Sequence, residues 1–290
     1  MELDKRKPIN LCLPHYNGKK DIIRAFMSIV ERTNYPYKLT IIDDASDKED
    51  IGYKFLKTLQ ETDDLKVIFN EKNVGVTKNL NTGFALYPEL DCVRLDADME
   101  IQSVGWLKRL VDFAHNNPKV GVVAPLCVME DFCTISSAGQ WLVINGEDKR
   151  TAAASKYEIF DRRHEDRFNL YAPLEVDSVL GCCAYYKREV IDKLGGIDEE
   201  YFGWVEDNDF CIGARNEGYK VFILPDISFN HWYHAPKRES EERNDILAAS
   251  EQHFIKKWGF SLYDPVPYFD EITKRYKGTE IYWRYNDGAF

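Results

Sequence analysis

No block of lysine and arginine runs anywhere in this chain, which carries a formal net charge of −11 over 290 residues. Binding along a phosphate backbone needs clustered basic side chains, so nucleic acid is excluded as the partner class. A smaller anionic substrate stays open, because a bound cation inverts the local sign. No apolar stretch reaches the roughly 20 residues of a membrane span. The opening residues, Met1 to Pro8, have no apolar core of the kind a signal peptide carries. Gly-x-Gly-x-x-Gly is missing after the first apolar run, and so is the Gly-Lys-Ser/Thr of a phosphate loop. A nucleotide bound here therefore has its phosphates held by a metal, not by a glycine cradle. The seven cysteines are odd in number, and Cys182 and Cys183 are adjacent, without zinc-site spacing. Cys12, Cys92, Cys127, Cys182 and Cys183 fall mostly in apolar runs and read as buried, reduced thiols. The expectation is a cytoplasmic protein, or one acting peripherally at the inner face of a membrane.

What is present is a soluble, globular composition, 44% hydrophobic and 30% charged. The first half alternates short apolar runs with helical periodicity. Ile9 to Pro14, Leu39 to Ile42, Leu65 to Phe69, Cys92 to Leu95 and Val120 to Pro125 read as strands. Between them, Asp21 to Glu31, the stretch around Ile51 to Leu59, Lys78 to Tyr87 and Trp106 to Phe113 read as helices. Strictly alternating elements with continuous apolar strands predict a mostly parallel sheet covered on both faces.

The second half is less regular. Gln140 to Gly146 resembles a hairpin arm, and residues 147–170 read as a polar loop or mobile flap. Leu174 to Tyr186 reads as one long strand region and Lys220 to Pro225 as another strand. Helices are expected over Lys187 to Leu194, Asp207 to Glu217 and Glu239 to Trp258. No linker or repeat stands out. The expected division is one domain over 1–235 and an extension over 236–290, made of a helix and an aromatic tail.

Chemistry-bearing residues gather where strands end. Asp96-Ala97-Asp98 closes the run Cys92 to Leu95 and brings two carboxylates to the sheet edge, the ligands a hard divalent cation prefers. Pro14-His15-Tyr16-Asn17 follows the first strand, Asp43-Asp44 the second, and Asn73-Val74-Gly75 with Asn79 the third. Open α/β sheets bind ligands at the carboxyl ends of their strands, so these segments face one crevice. A ring and a carboxylate together suit a nucleobase, although Asn, Asp and Gly are also ordinary turn formers. Further on, Glu206-Asp207 sits among aromatics. Acids here serve either as helix caps or as a partly desolvated carboxylate of raised pKa, suited to a general base. Phe229-Asn230-His231-Trp232-Tyr233-His234 follows the last strand, and neutral imidazole suits Mn²⁺.

The order of these segments resembles the family-2 type inverting nucleotide-sugar glycosyltransferases of GT-A fold, over roughly residues 8–235. The motifs are Leu-Pro-x-Tyr-Asn, Ile-Asp-Asp-x-Ser, Asn-x-Gly-x-x-x-x-x-Asn-x-Gly, Leu-Asp-Ala-Asp, Gly181-Cys182-Cys183-Ala184, Gly195-Gly196-Ile197-Asp198-Glu199 and Trp204 to Cys211. The resemblance implies that Asp44 contacts the base, with Tyr16 against it and Asn73 helping to hold it. Pro14, Asn17, Gly75, Lys78, Asn79 and Ala97 line the same donor site. It implies Asp96 at the ribose and metal, Asp98 as direct metal ligand and His231 as a later one, with Mn²⁺ or Mg²⁺ as cofactor. Asp207 matches the catalytic base, with Glu206 beside it orienting the acceptor. One departure is Leu80, standing where the family often has Arg, so that Lys78 or Asn79 substitutes. The Gln-x-x-Arg-Trp of processive synthases is missing, which implies single-sugar addition.

The implied partners are a nucleoside-diphosphate sugar, with uracil the default base, and a hydroxyl acceptor on a glycan, lipid-linked glycan or protein. A homo-oligomer is left open. The alternatives are a non-catalytic binding module on the same scaffold and a sugar-nucleotide nucleotidyltransferase, which expects a glycine-rich loop after the first strand. A metal-dependent phosphohydrolase lacks its second His/Asp cluster.

Overall fold

The computed structural model describes residues 7–132, 134–145, 153–158, 172–232 and 240–262. Its first half runs β1 (Ile9–His15), α1 (Asp21–Arg32), β2 (Tyr37–Asp43), α2 (Ile51–Thr58), β3 (Leu65–Phe69), α3 (Val76–Leu86) and β4 (Cys92–Leu95). Each element follows from local chemistry. Ile22, Ala25 and Ile29 recur at helical spacing and give α1 one buried stripe. Asp50 starts α2 by accepting the backbone N–H groups of Gly52 and Tyr53. β1 and β4 are buried almost throughout because helices cover both sheet faces.

The second half adds β5 (Met99–Ile101), α4 (Trp106–Asn116), β6 (Val120–Val128), β7 (Ile135–Ser137), β8 (Gln140–Asn145), β9 (Ala153–Glu158) and β10 (Leu174–Val176). It ends with β11 (Cys183–Tyr186), α5 (Arg188–Leu194), α6 (Glu206–Asn216), β12 (Lys220–His231) and α7 (Ser240–Trp258). The main sheet has the order β10-β12-β6-β11-β4-β1-β2-β3, with β5 beside β12 and β7 beside β6. β3, β2, β1 and β4 are parallel, as are β6 and β12, while β11 runs antiparallel between β4 and β6. The mostly parallel α/β sheet expected from the alternation is therefore present.

One apolar layer joins α1, α2 and α4 to the sheet through Ile22, Leu56 and Trp106. The other joins α3, α5 and α6 through Leu80, Val190 and Phe210. A third cluster packs Phe254 of α7 with Phe260 and Leu262 against Tyr201 and Val205. Among the described residues, no helix is long and apolar enough to cross a membrane. The six described cysteines are free and buried.

Three expectations need correction. Leu174 to Tyr186 is not one strand: β10 ends at Val176 and β11 begins at Cys183, and between them the chain leaves the ladder, with Ser178 in an isolated backbone bridge to Gln140 and the buried side chains of Asp177 and Ser178 bonded elsewhere. Asp177 Oδ1 pairs with Arg215 at 2.9 Å, and Ser178 Oγ accepts from Asn208 at 2.8 Å. The polar stretch 147–170 contains β9, paired antiparallel with β8, and its remaining residues lie outside the described ones. β12 runs past Pro225 to His231, accommodating the proline at a register break against β6.

Candidate active site

The carboxyl ends of β1, β2, β3 and β4 bring the first candidate residues to one edge. Buried His15 ties the first two loops together. Its Nε2 accepts from the Gly18 N–H at 3.1 Å, so Nδ1 carries the hydrogen toward Asp43 Oδ2, 2.8 Å away. Burial raises the Asp43 pKa, but His15 and Ser46 outweigh it and hold the carboxyl below its usual range. Asn17 adopts φ +49° and receives the Asp47 N–H on Oδ1 at 2.8 Å. Pro14 stands in β1 and Tyr16 just beyond it, partly buried.

Asp44 is 3% exposed and works inward. Its carboxylate accepts the Asn70 amide and the Val74 and Gly75 N–H groups, each at 2.9 Å. Asn79 is buried and accepts from Asn70 at 2.7 Å, which extends the latch into α3. Asn73 Oδ1 accepts from Gly75 N at 3.2 Å. Gly75 has φ +89°, and a Cβ there would sit 2.6 Å from the Phe202 carbonyl oxygen, so the position requires glycine. Leu80 points into the core, whereas Lys78 is exposed. Of the two proposed substitutes for the family's arginine, only Lys78 presents charge to solvent.

Asp96 and Asp98 follow β4 across a turn closed by the Met99 N–H on the Asp96 carbonyl at 3.2 Å. Ala97 between them is partly buried. The Asp96 N–H donates to the Cys182 carbonyl at 2.8 Å, and Trp232 N–H donates to the Asp98 carbonyl at 3.0 Å. These bonds join the acid pair to the ends of β11 and β12. His231 Nε2 lies 3.2 Å from Asp98 Oδ1. One ligating atom each from Asp96, Asp98 and His231 falls within 4.8 Å of the others. His234 lies outside the described residues.

Arg94 was not singled out in the sequence. A charged side chain in a four-residue apolar strand was the available signal, since buried arginine demands buried acid. Its Nε donates to Asp96 Oδ1 at 3.0 Å and one Nη to Glu206 Oε1 at 2.7 Å. Burial disfavours the guanidinium charge, but Asp96 and Glu206 more than offset this and raise its pKa. Glu206 is 3% exposed, and burial raises its pKa against the opposing pull of Arg94. Its Oε2 is buried and has no hydrogen-bond partner among the described residues. Expected to orient the acceptor, Glu206 instead faces inward, behind Asp207.

Asp207 is partly buried. Its Oδ2 accepts the Gly181 N–H at 2.9 Å, and its Oδ1 accepts the Asn208 N–H at 2.8 Å. It is not the N-cap of α6; that position is Val205. Trp204 and Val205 hold φ of +62° and +69°, left-handed conformations that strain side-chain-bearing residues, a β-branched one most. These two residues lead directly into Glu206 and Asp207 at the start of α6.

The sequence profile of glycosyl transferase family 2 matches residues 11–195, more than half the chain. The chain belongs to glycosyl transferase family 2. Solved structures agree on the GT-A fold of this family. GalNAc-T7, in a complex with UDP, GalNAc and Mn²⁺, superposes with a TM-score of 0.61 at 19% identity, covering 79% of this chain and 45% of that one. The mannosyltransferase PcManGT of Pyrobaculum calidifontis, with GDP-Man and Mn²⁺, gives 0.56 at 20% identity, covering 87% and 65%. TarS of S. aureus with UDP gives 0.53 at 18% identity, covering 86% and 72%. A curated relative, uncharacterized protein y4gI of Sinorhizobium fredii, is 23% identical over 245 residues. This family 2 chain spans about a quarter of that relative's length, the match covering 82% of the chain and 26% of the relative.

Proposed function

We propose that this family 2 chain is a glycosyltransferase that moves one sugar from a nucleoside-diphosphate sugar to an acceptor hydroxyl, inverting the anomeric carbon. The observation that carries the reading is the meeting of Asp96, Asp98 and His231 within 4.8 Å at the carboxyl edge of the sheet. Two carboxylates and an imidazole fit Mn²⁺, or Mg²⁺ with more water. Asp96, Asp98 and His231 would hold the ion, which supplies charge neutralisation to a diphosphate leaving group. The complexes of similar fold carry UDP in two cases and GDP-mannose in one, so both bases belong in any donor panel.

The chain's own residues divide the remaining work. The loops after β1, β2 and β3, with Tyr16, Asn17, Asn73, Gly75 and Lys78, form the nucleotide wall. Asp44 keeps that wall in shape through its three bonds to residues 70–75. Lys78 attracts the diphosphate. Asp207 takes the proton of the acceptor hydroxyl as that oxygen bonds to the anomeric carbon from the face opposite the diphosphate. The bond from sugar to diphosphate breaks and its electron pair departs with the phosphate oxygen. One displacement inverts the centre once. The Gly181 and Asn208 N–H groups leave each Asp207 oxygen a further lone pair for that proton. Residues 1–235 form the transferase domain in this reading and 236–290 its extension, with a glycan, lipid-linked glycan or protein as acceptor.

Calorimetry with nucleoside diphosphates and nucleotide sugars, in Mn²⁺ and in EDTA, tests the donor site. The expected result is metal-dependent binding of one nucleotide; no binding of any would overturn the reading. Asp207→Asn should cut turnover about 10²- to 10⁴-fold while donor affinity holds. Retention of most activity would remove Asp207 as the base.

A further inference from the structure

Behind the acid pair lies a second set of donor atoms with different chemistry. One atom each from Cys127, Cys182 and His231 lies within 4.8 Å of the others. We propose that Cys127, Cys182 and His231 form a binding site for a thiophilic divalent ion of the zinc class, distinct from the oxygen-rich site and sharing His231 with it.

Placement is the first argument. β12, β6, β11 and β4 are consecutive neighbours in the sheet. His231 ends β12, Cys127 lies near the end of β6, Cys182 immediately precedes β11, and Asp96 immediately follows β4. Antiparallel β11 brings its beginning to the edge where the others end, with Cys183 opposite Leu95. The donors thus stand on rigid, paired backbone, which limits the ordering that binding requires. Both thiols are reduced and buried, at 2% and 4% exposure.

Ligand chemistry is the second argument. Zinc–sulfur bonds of about 2.3 Å and zinc–nitrogen bonds of about 2.0–2.1 Å put tetrahedral donor atoms roughly 3.5–4 Å apart. The three donor atoms all lie within 4.8 Å of one another, so binding draws them together. Thiolates select zinc-class ions over Mn²⁺ and Mg²⁺, which prefer oxygen. The ion replaces the thiol protons, which pass to solvent.

The probe is Co²⁺, added to the full-length reduced protein stripped of metal and followed by absorbance. Thiolate-to-cobalt charge transfer reports sulfur ligation whether or not sugar transfer occurs, so the outcome is independent of the function proposed above. One equivalent should raise the band in the parent chain. Cys127→Ser and Cys182→Ser should each lose it, while Cys12→Ser keeps it. Absence of the band in the parent, or its survival in both variants, would overturn the site. If either variant fails to fold, zinc-edge anomalous diffraction from crystals of the parent protein with Zn²⁺ decides. A peak among Cys127, Cys182 and His231 supports the site; zinc elsewhere overturns it.

Discussion

Arg94 ties two distant parts of the site together. It joins Asp96, at the edge of the sheet, to Glu206, the first residue of α6. A Cβ on Gly181 would come 2.4 Å from its guanidinium, so only glycine leaves room for this bridge. Removing one partner of a buried ion pair strands the other charge, at a cost of about 3–5 kcal/mol. Arg94→Leu should destabilise by about that much in guanidinium unfolding, and adding Glu206→Leu should restore a large part of it. Equal stability of Arg94→Leu and the parent would show that the pair contributes nothing. The same variant should misplace Asp207, because its neighbour Glu206 loses its anchor.

At the scale of elements, α7 acts as a brace for the turn before α6. Lys257 donates to Asp198 at 2.7 Å and to Asp209 at 2.9 Å, His253 approaches Asp198 at 3.1 Å, and Trp258 donates to Asp209 at 2.7 Å. Burial raises the Asp198 pKa, but Lys257, His253 and the Glu200 N–H overcome it and lower it to about 2. A carboxyl depressed from its unfolded value of about 3.9 stabilises the fold above that pH. That contribution is lost as pH falls toward about 2. Near-ultraviolet circular dichroism should therefore show α7 loosening over this acid range, and Asp198→Asn should flatten the transition. An unchanged profile in the variant would remove Asp198 as the sensor. The alternating first half of the fold was legible because β1, β2 and β4 are apolar runs and α1 and α4 have clean periodicity. The three-residue strands β5 and β7 were not, since so short a segment has no period of its own and exists by pairing with β12 and β6. In the site, the strand-end positions of Asp44, Asp96 and Asp98 could be read from local sequence. The inward turn of Glu206 could not, because it depends on Arg94, 112 positions away.

On the scale of the whole molecule, the sheet edge gathers residues from widely separated parts of the chain. The proposed donor wall is also stitched directly to the segment before α6. The Val76 N–H donates to the Phe202 carbonyl at 3.1 Å, Thr77 Oγ1 to the Tyr201 carbonyl at 2.5 Å, and Asn81 exchanges two bonds of 2.8 Å with Ile197. Gly75 presses against Phe202 at the same seam. This seam has a consequence for the order in which substrates arrive. In the proposed reading, a nucleotide against residues 73–78 bears through this seam on the turn that leads to Asp207, so the donor should bind before the acceptor. Steady-state kinetics should be ordered sequential, with the released nucleoside diphosphate competitive against the donor and noncompetitive against the acceptor. Random addition would mean that the two sides of the seam move independently, and Thr77→Val should push the kinetics toward that behaviour.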